Sequence, residues 1–271
     1  MALLQLSPGN ALHYDYAPPG EAGATFVFVN ALTGSTAMWE AAISPALQQA
    51  GFGTLAYNLR GQADSPFSPG TQLDQALIVG DLQRLLEEVA PPRPLLVGLS
   101  IGGLFAAGAY LAGTPAAGLV LINTLRRGGP RVSWVSDATA RVAAVGGTRL
   151  VMDLMMPLIV NEERLAQIRP DFLTDAPYEP LDPSDGHYNL LANAARADWD
   201  LPYERLDLPT LVMSGLQDRV FYDTADVERL AGRLPKAQRL DFADAGHLIP
   251  VERPEATIQA LLDFAAWVES S

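Results

Sequence analysis

A chain of 271 residues is long enough for one large α/β domain carrying an insertion, and its 49% hydrophobic content excludes the disordered class. Eighteen Lys and Arg against 31 Asp and Glu leave a formal charge of −13 and a pI near 4.5, so nucleic acid and anionic lipid surfaces would be repelled. There are no cysteines, which excludes disulfides, thiolate nucleophiles and Cys-ligated zinc.

Residues 1–10 lack the basic and apolar stretches of a secretory signal, and no uncharged apolar run approaches the roughly 20 residues that span a bilayer. A soluble, cytoplasmic protein without a membrane partner is expected. Residues 3–6 and 12–16 read as an antiparallel ribbon at a sheet edge. The strongest strands, 25–29, 53–57, 95–99, 118–122 and 210–214, are apolar almost throughout, as strands buried on both faces should be. An eighth strand is expected at 239–242. Residues 73–89 place Leu77, Leu82, Leu85, Leu86 and Val89 on one helical face, and Pro91, Pro92 and Pro94 end that helix.

The alternation stops between about Thr124 and Asp200. Helical segments are expected at 135–145, 148–160 and 186–197, with Asn161 as an N-cap before the acidic pair Glu162 and Glu163. Residues 170–185 read as a loop. The expected fold class is therefore α/β: a mostly parallel eight-stranded sheet flanked by helices, with a helical lid inserted after the sixth strand. The division is a core at 1–124, a lid at 125–200 and the rest of the core at 201–271.

Gly98-Leu99-Ser100-Ile101-Gly102 directly follows an apolar strand and precedes a helix at 103–111. A serine there sits on a sharp turn, with its hydroxyl exposed near the positive end of the helix dipole. That hydroxyl needs a base, and the chain has three histidines. His13 lies in an early strand and is expected at its surface or edge. His187, in the insertion, is a substrate-binding candidate whose plainer reading is a solvated residue. His247, after the eighth strand in Asp244-Ala245-Gly246-His247, is the candidate base. The orienting acid is assigned to Asp218, just past the strand at 210–214; Asp223, Asp226 and Asp244 compete as capping or surface residues. The turn after the sixth strand offers only Asn123-Thr124. The oxyanion donors are expected to be the backbone N–H groups of Ile101 and Leu32.

Met152, Leu154, Met155, Met156, Leu158 and Ile159 suggest an apolar pocket wall, with a buried packing stripe as the alternative; Met155 is the substrate-binding candidate. Arg126, Arg127 and Arg131 follow the sixth strand, and Arg126 is the candidate for a substrate carboxylate, against the plainer reading of a solvated basic turn.

Together these motifs resemble the α/β-hydrolase superfamily over almost the whole chain outside the insertion. The order Ser100, Asp218, His247 matches that fold. Residues Asn58-Leu59-Arg60-Gly61-Gln62-Ala63-Asp64-Ser65 resemble the family's Asp-x-Arg-Gly-x-Gly-x-Ser stretch, with Asn58 and Ala63 replacing Asp and Gly. Asn30-Ala31-Leu32-Thr33 with Met38-Trp39 is similar to the loop of 3-oxoadipate enol-lactonases, which makes Asn30 and Trp39 further substrate-binding candidates. The resemblance implies hydrolysis of a small carboxylic ester or lactone through an acyl-enzyme, with neither metal nor organic cofactor. The serine sets the chain apart from family members with Asp at this turn, the haloalkane dehalogenases and epoxide hydrolases. A receptor for a small apolar ligand, or a non-hydrolytic enzyme on the same fold, is the rival reading.

Overall fold

The computed structural model describes residues 2–20 and 23–271. A ribbon of β1 (Ala2–Ser7) and β2 (Asn10–Ala17) turns at Gly9, whose φ of +75° suits glycine. Then come β3 (Thr25–Val29), α1 (Ala37–Glu40), α2 (Ile43–Gln49), β4 (Gly53–Tyr57), α3 (Gln75–Val89), β5 (Pro94–Leu99), α4 (Ile101–Leu111) and β6 (Gly118–Ile122). The insertion holds α5 (Pro130–Ile159), α6 (Glu162–Ile168) and α7 (Gly186–Ala194). The chain ends with β7 (Thr210–Gly215), α8 (Thr224–Ala231), β8 (Ala237–Phe242), α9 (Ile249–Glu252) and α10 (Pro254–Ser270).

The eight strands form one sheet in the order β1-β2-β4-β3-β5-β6-β7-β8. β1 and β2 pair antiparallel, β2 meets β4 antiparallel, and every later pairing is parallel. All residues of β3, β4, β6 and β7 are buried, which explains their unbroken apolar runs. The pleat sends alternate side chains into two separate cores. Val27, Val29, Leu119 and Leu121 meet Leu82 and Leu85 of α3 and Leu104 of α4. Phe26, Phe28, Val120 and Ile122 meet Ile43 and Leu47 of α2 and Leu261 and Phe264 of α10. Both faces are therefore covered, and the carboxyl ends of the central strands open toward the insertion.

Helix α3 begins where Asp74 accepts the Leu77 N–H at 2.9 Å and stops at Ala90 in left-handed backbone, one residue before the prolines. Asn161 caps α6 through Arg164 N–H at 2.7 Å. Helix α5 is broken by non-helical backbone at Gly146 and Gly147, between the two segments expected from sequence. Helix α7 ends at Ala194, three residues short of its expected end. By length and composition α5 could reach across a bilayer; it is instead kinked, and Ala140, Ala143 and Val151 pack on Leu191 of α7.

His13 is a correction. Its strand is interior to the sheet and the loop after β4 packs against it, so the side chain is buried rather than at a surface, with Nδ1 3.3 Å from Asn58 Nδ2 and the backbone N–H donating to Ser65 Oγ at 2.8 Å. The neighbouring departure Ala63 has φ +41°, a conformation that explains the glycine of the family's pattern. Because Ala63 is exposed, Ala63→Gly relieves strain without losing core contacts. Urea denaturation should show a gain of about 0.5–1 kcal/mol, the net of strain relief against the greater freedom of the unfolded chain.

Candidate active site

Ser100 sits between β5 and α4 at φ +57°, ψ −123°, held by its N–H to Ile122 O at 2.7 Å and by Thr124 Oγ1 donating to its carbonyl at 2.9 Å. The turn needs its glycines. A Cβ on Gly102 would overlap the Val29 carbonyl, and one on Gly98 would overlap the backbone of Gly103. This close approach puts the start of α4 against β3, with Ile101 N–H in the first turn where helices have no internal acceptor.

Asp218 and His247 come from the loops after β7 and β8. His247 Nδ1–H donates to Asp218 Oδ2 at 2.6 Å, and both side chains are almost fully buried. Asp218 Oδ1 accepts the N–H groups of Val220 at 3.0 Å and Phe221 at 2.9 Å. Burial opposes ionisation of Asp218, but His247, the Phe221 N–H and the Arg126 charge outweigh it and hold the carboxyl below its ordinary value. The competing acids are placed elsewhere. Asp223 caps α8, Asp226 pairs with Arg229, and Asp244 pairs with Arg253 on the surface.

Ser100 and His247 line one cavity of about 330 Å³, together with Leu32, Ile101, Arg126, Met155 and residues of the insertion. The Ser100 Oγ accepts from Arg126 Nη2 at 3.0 Å, and His247 is not its hydrogen-bond partner among the described residues. The hydroxyl proton thus remains free to turn toward His247. Arg126 is buried between the rings of Trp199 and Phe221, its guanidinium carbon 4.5 and 4.3 Å from their centroids. Burial lowers its pKa to about 10, against the opposing pull of Asp218 and Tyr203.

Three further candidates are not cavity residues. Trp39 is fully buried, stacks on Phe28 and donates Nε1–H to Asn30 Oδ1 at 2.8 Å. Asn30, equally buried, donates to the Tyr57 carbonyl at 2.9 Å. Both support the loop from behind and do not face the cavity. His187 is half-buried outside the cavity, with burial lowering its pKa. Arg127 and Arg131 are exposed and off the cavity too, and Arg131 donates to the Arg219 carbonyl. Of the apolar run, Met152, Met155 and Ile159 line the cavity, while Leu154 and Leu158 face outward and Met156 packs beneath.

Several functional contacts come from residues that the sequence reading passed over. Gln62 Nε2 donates to the carbonyls of Ala31 at 2.7 Å and Leu32 at 2.8 Å. In a trans peptide the N–H points opposite to the carbonyl, so the clamp on Ala31 C=O turns Leu32 N–H away from Gln62, on a loop that lines the cavity. Asn123 Nδ2 donates to the Gly246 and His247 carbonyls at 3.0 and 2.8 Å, while its Oδ1 accepts from Gly215 N–H. Buried Glu252 accepts the N–H groups of Gly246 and Leu248, fixing the histidine loop from its other side. Only the asparagine carried a signal, since it stands where the resembling family can place its acid. Among the described residues, no group of three or more His, Asp or Glu could hold a metal.

The chain is 28% identical over 265 residues to a protein of Variovorax paradoxus named carbamate hydrolase RutD, covering 96% of this chain and 97% of the other. It is 26% identical over 255 residues to 3-oxoadipate enol-lactonase 2 of Acinetobacter baylyi, covering 89% of each. The solved enol-lactonase of Burkholderia xenovorans shares the fold, with a TM-score of 0.77, 24% identity and coverage of 95% and 97%. The family described as alpha/beta hydrolase fold matches residues 24–254, which take in β3 to β8 and the insertion. This chain belongs to the alpha/beta hydrolase fold family.

Proposed function

We propose that this protein is a serine hydrolase that cleaves a small carboxylic ester or lactone through an acyl-enzyme. Ser100 is the nucleophile, His247 the base and Asp218 the acid that fixes the imidazole. The observation that carries the reading is the buried 2.6 Å His247–Asp218 bond beside the cavity that also holds the strained serine. Nδ1–H committed to Asp218 leaves Nε2 as the acceptor for the serine proton. Attack on the substrate carbonyl forms an oxyanion, which the N–H groups of Leu32 and Ile101 receive. His247 then returns the proton to the leaving alcohol and activates water against the acyl-enzyme. The relative named a carbamate hydrolase supports hydrolysis and the one named an enol-lactonase supports a lactone. The largely apolar cavity, at the small end of the roughly 300–1,000 Å³ range of ligand pockets, suits a small substrate.

The test is proton release from a panel of short-chain methyl esters and five- and six-membered lactones. Turnover by the wild type and its loss in His247→Ala are expected. A folded wild type inactive on every member would overturn the ester and lactone assignment.

The clamp on the loop gives a subtler expectation. Gln62→Leu keeps the side chain's bulk and removes both clamp bonds, together with the acceptor that Gln62 Oε1 offers to Leu59 N–H at 3.0 Å, so Leu32 N–H loses its fixed direction. The oxyanion exists only along the reaction, so kcat should fall about 10- to 100-fold with KM within about twofold, less than the ~10²–10³ of a deleted donor. A rise in KM at constant kcat would assign Gln62 to substrate binding instead.

A further inference from the structure

Arg126 carries more than the reaction above uses. The guanidinium has five N–H donors. Nη2 commits its two to Ser100 Oγ at 3.0 Å and Asn123 O at 2.7 Å. Nε is buried with no acceptor, and Nη1 has none among the described residues. No carboxylate lies within ion-pair distance among the described residues, although Asp218 is near enough to act on the charge through space. A buried cation without a counter-ion is costly, and the Trp199 and Phe221 faces offset only part of that. The surrounding wall, including Val135, Val151, Met152, Met155 and Leu191, supplies no anion.

We propose that Arg126 is the anchor for a carboxylate on the substrate, so that the preferred ester or lactone is a small, otherwise apolar acid-bearing one. This rests on the hydrolase reading and deepens it. The Nη1 edge belongs to the same guanidinium that touches the nucleophile. A carboxylate held there at about 2.8 Å, with the scissile carbonyl about 3 Å from Ser100 Oγ, leaves room for only a short spacer between the two groups. The anion supplies the missing counter-charge and the missing acceptor together, and the remaining carbon chain lies against the apolar wall.

The experiment compares monomethyl glutarate with its terminal-amide analogue, in the wild type, Arg126→Met and Arg126→Lys, by proton release. The wild type should favour the acid over the amide by about 10- to 100-fold in kcat/KM, Arg126→Met should bring the ratio to about one, and Arg126→Lys should keep part of it. An equal loss on both substrates would place Arg126 on the serine alone and overturn the anchor, as would an unchanged ratio. A second readout does not need turnover: calorimetric binding of glutarate to Ser100→Ala, expected to be lost in Ser100→Ala/Arg126→Met. Glutarate binding through Arg126 with no ester turnover keeps the anchor and removes the hydrolase reading. Ester turnover with an acid-to-amide ratio near one in the wild type does the reverse.

Discussion

Ser100→Ala is expected to lower kcat for a cleaved ester by about 10⁴- to 10⁶-fold, because the acyl-enzyme path needs the oxygen that the substitution removes. The fold should survive. The Cβ stays in place, the strained backbone is held by Ile122 and Thr124 rather than by the hydroxyl, and only the Arg126 contact is lost. Losing that one acceptor of a buried cation costs about 1–3 kcal/mol, so thermal unfolding should shift by roughly 2–10 °C while the transition stays cooperative. A folded variant within tenfold of the wild type would move the chemistry to His247 and Asp218, as in a non-hydrolytic enzyme where serine only donates a hydrogen bond.

The second large effect is expected from Asp218→Asn, a loss of about 10³- to 10⁴-fold in kcat, and its cause can be followed atom by atom. Oδ1 receives two backbone N–H groups, from Val220 and Phe221, so the amide oxygen must take that side. The NH₂ then faces His247 Nδ1, which has to become an acceptor. The imidazole proton moves to Nε2, and the nitrogen aimed at the serine can no longer accept. Acid titration supplies a separate check. The Asp218 carboxyl is held below its ordinary value, so its stabilising contribution is complete above the unfolded value of about 3.9 and disappears as pH falls through the lower folded value. The amide introduced by Asp218→Asn does not titrate. The stability gap between the two proteins, measured by urea denaturation, should therefore narrow from pH 7 to pH 3, and a constant gap would contradict the assigned electrostatics.

The sheet was legible because burial on both faces leaves a strong mark: five-residue apolar runs have no simpler explanation. The kink of α5 was legible too, since adjacent glycines at 146 and 147 interrupt the helical pattern. The positions of Ser100, Asp218 and His247 could be argued because each follows a strand end, and strand ends gather at one edge of a parallel sheet. Direction was harder to read. Asn30 and Trp39 stand next to the site in sequence, yet their side chains turn into the body of the protein and bond to each other. Of three arginines within six positions, one points inward, and nothing local separates Arg126 from Arg127. His13 looked superficial because the loop that packs against it begins 45 residues away in sequence at Asn58. Asn123 touches the histidine loop across 124 residues, and Glu252 joins two N–H groups of that loop to the Asn161 N–H, 91 residues away. Such roles belong to the assembled loops and leave no periodic pattern in the chain.

The catalytic assignment is tested most directly by reacting the purified protein with a fluorophosphonate and locating the adduct by peptide mass spectrometry. A single adduct on Ser100, absent from His247→Ala, is the predicted result, since the probe reports a serine whose proton has somewhere to go. No adduct on folded protein, or labelling of Ser100 undiminished in His247→Ala, would contradict it.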